Sequence, residues 1–131
     1  MIYGIGIDLV RISRISNAID RHGSRFAERI LSAFELEEYG LSRHKARFAA
    51  KHFAAKEALL KALGTGLRMG IQWRHMEVHN DALGKPFLQC SGRVEELFAE
   101  RAIAKSFLSI TDEDEYAAAF VTLECRVPSV G

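Results

Sequence analysis

The chain has 131 residues, the length of one ordinary domain with its own core. A hydrophobic fraction of 48% excludes general disorder, and 18 basic against 17 acidic residues, a net charge of +1, argue against nucleic-acid binding through bulk charge. No run of 18 apolar residues occurs, so no membrane-spanning helix is expected.

Met1 leads straight into Ile-Tyr-Gly-Ile-Gly-Ile-Asp, without the basic and apolar regions of a secretion signal. Cys90 and Cys125 lie in apolar runs and read as reduced thiols of a cytoplasmic protein. Residues 2–10 are rich in β-branched side chains and predict a buried strand. Asp8 stands near its end, and a carboxylate in such a strand is costly unless it caps a helix, pairs or binds a cation. Capping the next helix is the plainest of these roles. Gly4 and Gly6 suggest a dinucleotide-binding fingerprint, but Leu9 stands where the third glycine belongs, and that motif is rejected.

From 12 to 21 the spacing of Ile12, Ile15, Ala18 and Ile19 predicts a helix. Its other face carries Arg14 and Arg21, with Arg11 before it and Arg25 after Gly23: either a solvated face or a dock for an acidic partner. Ser32 reads as the N-cap of a short helix with Glu35 and Glu37 in its first turns.

The organising stretch is 48–66, within a helix that begins near Lys45 and stops at Gly64, where a positive φ is easily adopted. Phe53, Glu57 and Lys61 recur every fourth residue and share one face with Leu60. An i, i+4 Glu–Lys pair on a solvated helix contributes roughly 0.3 kcal/mol. On a face that also carries Phe53 and Leu60 the two charges call for partners or a function.

After a glycine-punctuated loop, 73–80 alternates, with Met76 and Val78 on one face and His75, Glu77 and His79 on a solvated one. A turn at 80–86 leads to a short strand at 87–90, and 93–103 is amphipathic. Strands at 107–111 and 116–123 flank the acidic turn Asp112-Glu113-Asp114-Glu115. These elements predict an α+β fold in which a largely antiparallel sheet packs on a long central helix, as one domain over 1–125 with a tail at 126–131.

Gly-Ile-Gly-Ile-Asp at 4–8, Lys-Glu-Ala-Leu-Leu-Lys-Ala-Leu-Gly-Thr-Gly at 56–66, Gly-Lys-Pro at 84–86 and Tyr-Ala-Ala-Ala at 116–119 resemble one family. It is the holo-(acyl-carrier-protein) synthase family, the short bacterial type of the 4′-phosphopantetheinyl transferase superfamily. The resemblance implies transfer of 4′-phosphopantetheine from coenzyme A to a serine of apo acyl carrier protein, in support of fatty acid biosynthesis, with adenosine 3′,5′-bisphosphate as the other product. It implies Mg2+ held by Asp8 and Glu57, catalytic roles for Glu57 and Lys61, and substrate contacts from Lys61, Gly64, Lys85 and Pro86. It places the carrier protein on Arg14, Arg21 and Arg25, and it implies a homotrimer.

The chemistry fits these residue types. Phosphoryl transfer needs positioning and neutralised oxygens, Mg2+ needs one or two carboxylates, and a lysine supplies a point charge for pyrophosphate. Activation of the serine falls to Glu57 or to a metal-bound water. Phe107 and Asp112 stand where relatives often carry histidines, and Asp112 reads as a turn acid, with third ligand or base as its other readings. Two other functions use the same residues: a Mg2+-dependent phosphohydrolase, and a binding module for coenzyme A in which Glu57 and Lys61 are structural.

Overall fold

The computed structural model describes residues 1–127. The predicted tail lies for the most part outside the described residues. Helix α4, Lys45–Leu63, is the element against which the others are laid. It is rich in alanine, and Ala49, Ala50, Ala54, Ala55 and Ala58 are wholly buried, so neighbouring elements approach its backbone closely. Leu59 and Leu60 fill the space between them, and each such burial contributes about 1.5–3 kcal/mol. Gly64 ends the helix at φ 80°, as its sequence position predicts.

The main sheet is antiparallel, in the order β1 (Ile2–Arg11), β5 (Tyr116–Cys125), β4 (Ile103–Asp112). Val10, Ala117, Ala119, Val121 and Leu123 point to α4 and are buried. A separate antiparallel hairpin joins β2 (Met76–Asn80) to β3 (Pro86–Cys90). Helices α1 (Ile12–His22), α2 (Ser24–Ile30) and α3 (Ala33–Leu41) lead from the sheet to α4. Helix α5, Gly92–Glu100, connects the hairpin to β4. The architecture is the expected α+β one, with an antiparallel sheet on a long helix.

Several local expectations are corrected. Strand β1 is an edge strand buried on one side: Ile5, Ile7 and Leu9 are 59–65% exposed because, among the described residues, no element covers the outer face of β1. Arg11, not Asp8, occupies the N-cap of α1, without a side-chain cap. Helix α2 was hidden by Gly23, whose positive φ turns the chain between two helices. The alternation at 73–75 is a 3-10 turn, and His75 is buried there against Gly92 rather than on a solvated strand face. Ala102, at φ 55°, ends the α5 region early, so Ile103 begins β4.

Candidate active site

Strand β1 crosses α4 at near backbone contact. A side chain at Gly6 would be driven into the carbonyl of Ala58, and one at Gly4 into that of Ala62. The glycines that resembled half of a dinucleotide motif therefore serve packing. Residues 4, 6, 8 and 10 share the inward face, so the same crossing turns Asp8 towards the helix.

There Lys61 Nζ donates to Asp8 Oδ1 at 3.0 Å and to the Ile7 carbonyl at 3.0 Å. The Asp8 side chain is 15% exposed and that of Lys61 54%. Lys61 thus pairs across to the strand and not, as helical spacing suggested, with Glu57. Glu57 is half-buried beside them. Burial, and then repulsion from Asp8, push its carboxyl above the usual carboxylate range, while Lys61 and Arg14 pull it down. Two carboxylates from two elements thereby converge, with one lysine between strand and helix.

Other predicted residues are distributed around this centre. Arg14, Arg21 and Arg25 are exposed on α1 and α2, and none makes an ion pair among the described residues. Gly64 follows α4 three residues beyond Lys61, in the exposed cap. Lys85 and Pro86 are not brought to Asp8. They line a groove of about 430 Å³ with Phe107, Phe120 and Thr122, on the outer sheet face. Asp8 belongs to the opposite face, since Phe120 pairs in register with outward-pointing Ile7.

Asp112 is neither a turn acid nor a neighbour of the carboxylate pair. It is the last residue of β4, where its Oδ2 accepts from Arg47 Nη1 at 2.7 Å and its Oδ1 lies 3.5 Å from Lys51 Nζ. The Arg47 hydrogen bond holds its carboxyl below the usual range. Arg47, Lys51, His44 and His52 line a cavity of about 270 Å³, in which the Phe48 and His52 rings stack at 4.0 Å.

Sequence reasoning also missed a buried ion pair. Lys56, fully buried, donates to Glu35 Oε1 and to the Ile30 carbonyl, both at 2.6 Å. Glu35 further accepts from the backbone N–H of Ser32 and Val78, at 2.9 and 3.0 Å. Lys56 occurs in the run of residues that faces the core, between Ala55 and Ala58, which was the available signal. Glu35 carried the signal of a capping box, and the structure forms that box, but its depth depends on α3 packing over α4.

Residues 4–121 match the family model described as the 4′-phosphopantetheinyl transferase superfamily. The chain belongs to that superfamily. Among curated proteins it is 46% identical to a holo-(acyl-carrier-protein) synthase of Geotalea daltonii, over 95% of this chain and 99% of that protein. It is 47% identical to one of Vibrio cholerae, over 96% and 100%. Among solved structures, the synthase of Neisseria meningitidis superposes with a TM-score of 0.91 at 40% identity, over 95% of this chain and 99% of that one. The synthase of Bacillus anthracis, determined in complex with coenzyme A (3′,5′-ADP), gives 0.81 at 37%, over 96% and 99%. Within the superfamily the chain therefore matches the short synthases over nearly their full length.

Proposed function

We propose that this chain transfers 4′-phosphopantetheine from coenzyme A to a serine of apo acyl carrier protein, giving the holo carrier and adenosine 3′,5′-bisphosphate for fatty acid synthesis. The observation that carries the reading is the convergence of Asp8, Glu57 and Lys61 from β1 and α4. A phosphohydrolase or a binding module would fit the three residues, but not a near full-length match to synthases.

Asp8 and Glu57 suit Mg2+: both are hard oxygen donors, and Glu57 registers the charge of Asp8, so the pair calls for a cation. When bound, Mg2+ supplies neutralisation of pyrophosphate oxygens as charge shifts to the leaving group. Glu57, half-buried beside Asp8, accepts the proton of the serine hydroxyl. The serine oxygen then bonds to the phosphorus next to pantetheine, and the bond to the bridging oxygen breaks. Adenosine 3′,5′-bisphosphate leaves with that oxygen and its electron pair. Lys61 stabilises the departing charge. The cationic cavity over Phe48 suits the nucleotide phosphates, and Gly64, Lys85 and Pro86 contribute contacts to the substrate.

The carrier protein docks on Arg14, Arg21 and Arg25, whose exposed positive charge suits an acidic partner. The catalytic domain spans 1–125, with 126–131 as a tail, and the protein works in the cytoplasm. Among the described residues no helix is long and apolar enough to cross a membrane.

The working unit is a homotrimer, the number following from the family resemblance. In one chain Lys85 and Pro86 lie on the sheet face opposite Asp8, so a complete site draws on two subunits. Ile5, Ile7, Leu9, Phe107 and Phe120, 41–65% exposed on the outer face, are the apolar surface such an assembly would cover. Light scattering across a dilution series is expected to give three times 14.7 kDa wherever activity persists, and a fully active single chain refutes it.

The transfer is tested by intact mass of apo carrier protein incubated with the purified chain, coenzyme A and Mg2+. A gain of one phosphopantetheine group is expected, and an unchanged mass with an active control synthase in parallel overturns the proposal.

A further inference from the structure

Lys61 bends back from α4 to the strand. Two oxygens, Asp8 Oδ1 and the Ile7 carbonyl, converge on its Nζ at 3.0 Å each, although its long stem, 54% exposed, could extend into solvent. Asp8 is the more embedded partner, at 15% exposure, and an embedded carboxylate beside a second one is stabilised by a positive charge within reach. The ammonium therefore stands where a divalent cation on Asp8 would also be drawn. Two cationic centres crowded at one carboxylate oxygen repel each other, and the one on a flexible stem is the one that moves.

We infer that Lys61 is the resting counter-ion of Asp8: with no divalent cation bound it neutralises the carboxylate, and cation binding releases it from the strand. The inference rests on the metal reading given above and adds an order of events to it. The released ammonium becomes available to the pyrophosphate only after the cation has arrived, so an unloaded site keeps its positive charge turned inwards.

The test uses the full-length protein without coenzyme A. Mn2+ affinity is measured by electron paramagnetic resonance for the natural chain, Lys61→Met, Lys61→Gln and Asp8→Asn. Separately, the Lys61 ammonium resonance, assigned by its loss in Lys61→Met, is followed during Mg2+ titration. Removing the competing charge is expected to tighten Mn2+ binding about five- to tenfold in both neutral variants. The ammonium signal is expected to shift and exchange faster with water as Mg2+ binds. If both neutral variants bind Mn2+ no more tightly, or if the signal stays in place at saturating Mg2+, the counter-ion role is overturned while the metal site stands. If Asp8→Asn leaves Mn2+ affinity unchanged, or no protein in the set binds Mn2+, the metal reading itself fails and takes the counter-ion role with it.

Discussion

Gly6 of β1 lies directly beneath the carbonyl of Ala58 of α4, with no room for a Cβ between strand and helix. The contact is backbone against backbone, so neither side can relieve a clash by changing rotamer. Gly6→Ala is therefore expected to destabilise the fold by about 2–3 kcal/mol or more and to push Asp8 away from Lys61. Urea unfolding checks the first effect and loss of transfer activity the second. A variant as stable and active as the natural chain would show that the crossing does not position the site.

Asp8→Ala and Glu57→Ala are each expected to remove most of the transfer activity, on the order of a hundredfold or more, with the fold retained. Both side chains border the site rather than the core: Glu57 is half-buried and Asp8 forms its ion pair with a largely exposed lysine. Turnover at saturating Mg2+ and circular dichroism decide it. Near-normal rates in both variants would remove the two carboxylates from the mechanism.

Arg21→Glu is the cleanest probe of carrier docking, because the charge of Arg14 already reaches Glu57. Reversing one exposed charge on α1 should raise KM for the carrier several-fold and weaken its salt dependence. KM for coenzyme A should hardly change. Equal effects on both substrates would place Arg21 outside the docking surface.

The buried Lys56–Glu35 pair yields a stability prediction that does not depend on the chemistry. Glu35→Leu strands the Lys56 ammonium and leaves the backbone N–H groups of Ser32 and Val78 without their acceptor. A loss of about 3–5 kcal/mol is expected. Adding Lys56→Met should recover part of it, since no buried charge then remains unpaired. Denaturation of the two single variants and the double variant gives the coupling, and strict additivity would mean that the pair is not mutually dependent.

Much of this molecule is determined locally. The alanine-rich periodicity of α4, the positive φ of Gly64 and the Ser32–Glu35 capping box depend on residues within a few positions of one another. The Lys-Glu-x-x-x-Lys pattern at 56–61 likewise placed Glu57 and Lys61 on one helical face. What the local pattern could not decide was which charge meets which. Helical spacing offers Lys61 to Glu57, but the Gly4–Gly6 crossing brings Asp8 from fifty-odd residues away, and Lys61 pairs with that instead. Asp112 reads as a turn acid until β4 lays it beside Arg47 and Lys51, and Glu35 reads as an acid in the first turn of a short helix until α3 packs it over Lys56. In each case a charge selects its partner by distance and desolvation, and both quantities exist only once strands and helices have been brought together.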